Sequence, residues 1–257
     1  MKKFTYFAAL MAAALVSFNA CQKDDPKKPN RDDDDDDNPA FVSPIAIDGN
    51  FADWDALDAS KVAVATTQPG AKFDALKSVK VYADQLYINI LIEFDGAQIA
   101  DRAWVPLHVY LDADNKTTTG GYGDEFSDAC VDFMLETAIF SEGNFNNYNP
   151  SFWKWWGGVN ESGWLWSDPA IVGDESNFWG ALIGEGQAAI GSGSGSGNKY
   201  EIQLMREMMT GAAFADTFGI GFDIQQNWTS CGILPNLPMT DDNPNGLAPM
   251  LKVTIDK

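Results

Sequence analysis

Across residues 41–257, apolar side chains recur mostly at every second position, in short runs closed by Gly, Asn and Asp. A period of two sends alternate side chains to opposite faces of an extended chain, so this pattern predicts strands and few helices. Residues 79–82 and 86–92 make two such runs around Ala83-Asp84-Gln85. Residues 104–111, 129–135, 199–204, 218–225 and 251–255 read the same way. Residues 151–156 and 163–166 read as the arms of a hairpin across Gly157-Gly158, while 181–183 and 188–190 flank the glycines of 184–186. One short helical turn is expected at 205–209. Residues 191–197 alternate Gly and Ser and read as a flexible loop. Many short strands joined by Gly-rich turns imply an all-β, antiparallel β-sandwich, interrupted by a long Trp- and Gly-rich insertion over 141–198.

The chain before residue 41 has a different character. Lys2 and Lys3 precede an apolar stretch over 4–18, too short to span a bilayer and placed where a signal peptide lies. It ends Ser17-Phe18-Asn19-Ala20-Cys21, a small residue followed by Cys, which resembles the lipobox of bacterial lipoproteins. The resemblance implies a signal peptide over 1–20, cleavage before Cys21, and acylation of its thiol and new amino group, palmitate included. Acyl chains would then supply the only membrane attachment. Gln22-Lys23-Asp24-Asp25 resembles the export signal of Bacteroidetes lipoproteins, which implies display on the extracellular face of the outer membrane. Residues 21–40 hold three prolines and the Asp run 32–37. Six adjacent like charges repel and bury nothing, so this segment is expected to be a disordered acidic tether.

The whole chain has a formal charge of −20. Lys2 and Lys3 leave with the leader and the tether holds four basic and eight acidic groups, so residues 41–257 carry −18. Such a field repels phosphate backbones, which argues against nucleic acid and favours a neutral or cationic ligand, or Ca²⁺. Two cysteines remain after Cys21. Cys130 and Cys231 could pair outside the cytoplasm, or stay as buried thiols.

A set of ordered landmarks resembles family 9 carbohydrate-binding modules and their DOMON-like relatives. Ile47-Asp48-Gly49, followed by Asp53-Trp54, is similar to their "IDG…DW" opening, and residues 79–92 to the hairpin after it. Residues 108–115 resemble their "V-x-L-D-x-D" strand and loop, Tyr200-Glu201-Ile202 their "YE" strand, and residues 218–223 their "G-x-x-G" strand. The usual Pro after the "YE" strand is absent, Leu204-Met205 standing there instead. The resemblance implies a β-sandwich and a sugar ligand.

The insertion concentrates the candidate chemistry. Trp153 and Trp155 share one strand face, as do Trp164 and Trp166 on the other arm, a placement that could present an indole platform to the apolar C–H faces of sugars. Asn144, Asn146, Asn147, Asn149, Asn160 and Glu161 could serve the hydroxyls. About half of these indoles are expected to be buried packing, with Trp156 on the opposite face. Trp228, beside Gln225, Gln226 and Asn227, is a further ligand candidate, whereas Trp54 reads as a core plug. Asp112, Asp114 and Asp124 cluster hard oxygens suited to a structural Ca²⁺, although Lys116 breaks the EF-hand spacing and Asx turns also explain such residues. His108 is the single His and lies within a strand pattern, leaving zinc and Ser-His-Asp chemistry little to work with. The expectation is a non-catalytic glycan-binding surface lipoprotein serving a polysaccharide-uptake system, with an outer-membrane transporter as partner. Two alternatives stay open: an adhesin-like lipoprotein that binds a protein partner, and a glycoside hydrolase or lyase whose carboxylate pair the acidic composition hides.

Overall fold

The computed structural model describes residues 41–167, 190–209 and 211–257. The signal peptide, Cys21, the tether and the pattern over 181–189 lie outside the described residues. A short helix α1 (Ala52–Ala56) precedes the strands β1 (Ala63–Thr66), β2 (Leu76–Ala83), β3 (Tyr87–Phe94), β4 (Trp104–Asp112), β5 (Phe133–Ser141), β6 (Asn144–Phe145) and β7 (Ser151–Trp155). After them come β8 (Trp166–Ser167), β9 (Gly191–Ser196), β10 (Lys199–Met205), β11 (Thr217–Gln226), β12 (Thr229–Leu234) and β13 (Leu251–Thr254). Among the described residues no helix is long and apolar enough to cross a membrane.

Two antiparallel sheets stack as a sandwich. The first runs β1-β2-β3-β10-β9 and the second β12-β11-β4-β5-β7-β8, with β13 on β11 and β6 on β5. The period-two pattern decides which side chains meet. Ile88, Ile90 and Ile92 of β3 and Tyr200, Ile202 and Leu204 of β10 face Leu107, Val109 and Leu111 of β4 and Phe218, Ile220, Phe222 and Ile224 of β11 in one buried cluster. Burying a side chain of this size contributes about 1.5–3 kcal/mol, so the inter-sheet layer is the main stabilising element.

Both outer faces are covered as well. On the first sheet, Ile45 and Trp54 pack over Tyr82 and Leu91. Trp54 is buried, as its core-plug reading expected, but it seals the outer face and does not enter the inter-sheet layer. Glu201 of β10 anchors this cover. One carboxylate oxygen accepts the backbone N–H groups of Asp48 at 2.8 Å and Gly49 at 2.6 Å, and the other the Trp54 indole N–H at 3.4 Å. The "IDG…DW" and "YE" segments, with Asp48 and Glu201 153 residues apart, are thus two halves of one contact.

Three strand expectations need correction. Residues 129–132 are not strand: β5 begins at Phe133, because 113–132 folds back over the second sheet as a cover. Residues 191–197 are not a loop: Gly191–Ser196 is the edge strand β9, paired with β10 from Gly191↔Leu204 to Ser196↔Lys199. Its glycines are required by close approach, since a Cβ on Gly193 or Gly195 would strike the rings of Tyr200 and Phe145. The 163–166 arm is shorter than the pattern suggests: only Trp166–Ser167 pairs with β7, placing Trp155 opposite Trp166.

Candidate functional site

The outer face of the second sheet carries polar residues where most sandwich strands alternate with solvent-facing ones. In β4 the positions between the core residues are His108, Tyr110 and Asp112, and in β11 they are Gly219, Gly221, Asp223 and Gln225. Register then sets Glu136, His108 and Asp223 directly opposite one another across β5, β4 and β11. His108 Nε2 lies 3.1 Å from Glu136 Oε2, close but without hydrogen-bond geometry, and its Nδ1 lies 3.0 Å from the Tyr110 hydroxyl and 4.0 Å from Asp223. The imidazole is buried, in keeping with a sheet histidine.

Residues 120–131 and the turn 157–166 roof this row. Tyr122, Phe126, Trp153, Trp155 and Trp166 form a second apolar cluster over Tyr110 and Met134. Gly221 exists because the Phe126 ring occupies the space of its Cβ, and Gly121 and Gly157 make room for the Trp155 indole. Below the roof, Glu125 Oε1 accepts the Tyr122 hydroxyl at 3.2 Å and the Tyr110 hydroxyl at 3.4 Å. Asp223 Oδ2 accepts Gln225 Nε2 at 2.5 Å and Ser230 Oγ at 2.9 Å. Burial first, and then each other's charge in the case of Glu125, raises both carboxyls above the ordinary range.

The expected indole platform is corrected by this packing. Trp153, Trp155 and Trp166 are buried, at 9%, 6% and 0% exposure, because the roof folds onto the face they share. Trp155 spends its N–H on the Gly158 carbonyl at 3.0 Å. Trp164 alone of the four reaches solvent, 36% exposed, its ring 5.9 Å from that of His108 and 6.4 Å from that of Trp166. Glu136, on the other side of His108, keeps a fifth of its side chain open. Two further indoles are exposed: Trp228, at 60%, in the β11–β12 turn, and Trp104, at 45%, which opens β4. Gln226 pairs with Thr229, so Asn227 and Trp228 form a two-residue hairpin turn, both at positive φ. Trp104 shares the alternation of His108 and lies about 13 Å from it along the strand. The alternation gives Trp104 and Glu136 no special standing; Glu125 stands in the acidic run beyond residue 121 and Asp223 ends the 218–223 landmark, but nothing in the sequence brings the two together. Asp223 within Phe-Gly-Ile-Gly-Phe-Asp-Ile was the legible signal, a charge among alternating apolar residues.

The asparagines expected at the indoles serve other ends. Asn146 Nδ2 donates to the Ala138 carbonyl and Asn147 Oδ1 accepts from the Gly193 N–H, securing β5 and β9. Glu161 accepts the Gly158 N–H within its own turn.

The acidic loop is also rearranged. Carboxylate oxygens of Asp112, Asp114 and Asp132 lie within 4.8 Å of one another, and Asp132 takes the place given to Asp124. Asp124 is drawn off to the Gly163 N–H at 2.8 Å and is no part of the cluster. Two of the three carboxylates already have ammonium partners: Asp112 has Lys252 at 2.9 Å and Asp114 has Lys116 at 3.1 Å. Asp132 accepts the Ala113 N–H at 3.0 Å, and burial together with Asp114 pushes it up to about 6. These three residues could hold a hard cation only in competition with the lysines. A cleft of about 330 Å³ opens alongside, lined by Thr118, Thr119, Lys154, Trp155 and Val159. Cys130 and Cys231 are unpaired: Cys130 donates to Asp112 and Cys231 to the Ile224 carbonyl.

In comparison with known proteins, no family model matches the chain, and no curated protein matches it either.

Proposed function

We propose that this protein is a non-catalytic glycan-binding lipoprotein, anchored through Cys21 on the outer face of the outer membrane and capturing a poly- or oligosaccharide for an uptake system. The observation that carries the reading is Trp164. An indole with more than a third of its surface in solvent stands 5.9 Å from the His108 ring, and His108 in turn lies 3.1 Å from the partly open Glu136. An aromatic face for C–H groups, next to a carboxylate for hydroxyls, is the chemistry sugars ask for. Trp104, opening β4, and Trp228, in the β11–β12 turn, are further exposed indoles on the same sheet. The family 9 carbohydrate-binding-module-like order of landmarks points the same way, as fold-level support only. The carboxyls Glu125 and Asp223 are buried beneath the roof, whereas glycosidase carboxylates stand about 5–9.5 Å apart across an open cleft. That geometry favours binding over hydrolysis.

A second reading, an adhesin-like lipoprotein with a protein partner, draws on Trp104 and Trp228, since large exposed indoles also anchor protein interfaces. A glycan array followed by calorimetry separates the two. Glycan binding that falls roughly tenfold in Trp164→Ala, with the melting temperature held, supports the proposal. Absence of binding across plant, microbial and host glycans, with Trp228→Ala abolishing capture of a protein partner, overturns it.

A further inference from the structure

We propose that Glu125 and Asp223 form a proton-held latch, pinning the roof to β11 and positioning the turn that carries Trp164. Its consequence for ligand capture rests on the glycan reading above. Asp223 is fully buried and Glu125 is 7% exposed. Each uses one carboxyl oxygen on hydroxyl or amide donors, as described. The other oxygen of each, Glu125 Oε2 and Asp223 Oδ1, is buried and has no donor among the described residues. The two carboxyls converge on the same two side chains: the Tyr110 hydroxyl that donates to Glu125 at 3.4 Å lies 3.0 Å from His108 Nδ1, which stands 4.0 Å from Asp223. Two carboxyls brought together in a dry site cannot both ionise, and one proton shared between them satisfies both orphaned oxygens.

The surroundings supply no Lys or Arg to neutralise the pair, and His108 is the one basic side chain facing it among the described residues. From β4 the pair faces His108 and Tyr110; from β5, Glu136 behind His108; from the roof, Tyr122 and Asp124; from β11 and β12, Gln225, Ser230 and Cys231. Among the described residues no Lys or Arg forms an ion pair with either carboxyl; His108 Nδ1 stands 4.0 Å from Asp223 and 3.0 Å from the Tyr110 hydroxyl.

The latch is coupled mechanically to the Trp164 turn. Asp124, adjacent to Glu125, accepts the Gly163 N–H at 2.8 Å; the Tyr122 N–H donates to the Glu161 carbonyl at 2.7 Å; the Asn160 N–H donates to the Gly120 carbonyl at 3.2 Å. Residues 120–125 therefore hold 160–163, and Trp164 is the next residue. When Glu125 lifts away, the shared proton passes to solvent, because a hydrated carboxyl gives it up at ordinary carboxylate pH. The closed form binds one proton more than the open form, so acid favours closure and rising pH favours opening. Between the two carboxyl pKa values the opening constant should climb roughly tenfold per pH unit.

The test is amide exchange of the full-length protein in detergent, followed by mass spectrometry from about pH 5.5 to about pH 8.5 and corrected for intrinsic exchange. Protection over 120–126 and 158–164 should fall roughly tenfold per pH unit, while β3 and β10 stay flat as internal reference. Glu125→Gln supplies an amide N–H to Asp223 without a titrating proton and should remove the slope; Asp223→Asn serves if that variant misfolds. A flat profile in the wild type, or an unchanged slope in the folded variant, overturns the latch. Glycan affinity is measured in parallel. Sloping protection with no glycan bound keeps the latch and removes the glycan reading, and bound glycan with flat protection does the reverse.

Discussion

Replacing Glu201 tests the account of the first cover in quantitative terms. Glu201→Ala strips three N–H donors of their acceptor: those of Asp48, Gly49 and the Trp54 indole. The two backbone groups lie near the surface and regain water, so about 1 kcal/mol each is a fair charge, and the buried indole adds at least as much. The sum is about 3 kcal/mol. A domain of this size shifts its midpoint about 2–4 °C per kcal/mol, giving a loss of roughly 6–12 °C. Glu201→Gln keeps the oxygen that serves Asp48 and Gly49 but turns an N–H₂ group toward the indole N–H. It should cost about 1 kcal/mol, or roughly 2–4 °C. The gap between wild type and Gln has a pH sign. Burial raises the Glu201 carboxyl above its ordinary range, so the folded state binds its proton more tightly than the unfolded chain. The wild-type advantage is therefore complete below the ordinary carboxylate pKa and shrinks as pH rises through the raised one. Calorimetric melts of the three proteins at about pH 4 and about pH 7 measure both effects. A loss under 1 kcal/mol in Glu201→Ala, or equal losses in Ala and Gln, would refute the claim that this carboxylate holds the "IDG" turn to β10.

Two further outcomes follow from the second sheet. Trp166→Ala should lower stability by about 3–5 kcal/mol, since its side chain is wholly buried among Tyr110, Tyr122 and Trp155, with chemical denaturation as the assay; a loss near that of a surface substitution would unseat the roof as a packed layer. Millimolar Ca²⁺ should move the wild-type melting temperature by no more than about 1 °C, because Lys252 already occupies Asp112, whereas Lys252→Met should make the protein Ca²⁺-responsive through Asp112, Asp114 and Asp132; a large wild-type shift would show that the lysine yields to the ion.

The sandwich was legible because alternation is a direct imprint of a pleated, half-buried strand, and β2, β3, β4, β10, β11 and β13 fall close to where the apolar runs stand. What alternation cannot register is the identity of whatever lies over an outward-facing residue. Trp153, Trp155 and Trp166 occupy outward positions and read as a surface platform, but the roof that buries them comes from residues 120–131, a stretch with no periodicity of its own. The same blindness hid the Glu125–Asp223 pair, whose members are joined only by that roof. The Gly-Ser run failed differently: its composition is that of a linker, and only the rings of Phe145 and Tyr200 pressing on it explain why a strand there must lack side chains. Asp124 and Asp132 both lie beyond the 112–121 loop, and the backbone path separates them: Asp132 turns toward Asp112 and Asp114, and Asp124 toward Gly163.

The position of β10 in the first sheet has a consequence for synthesis. Tyr87 pairs with Met205 and Glu93 with Lys199, so β3 waits for more than a hundred later residues before its second neighbour exists. A chain clipped or stalled before Lys199 presents β3 as an open edge rich in isoleucine, the kind of row on which intermolecular sheets grow. The last quarter of the polypeptide therefore acts as an internal shield for what was made long before it. Proteolytic fragments ending short of β10 should aggregate where the complete chain stays dispersed, and a holding chaperone would be needed until the final strands arrive.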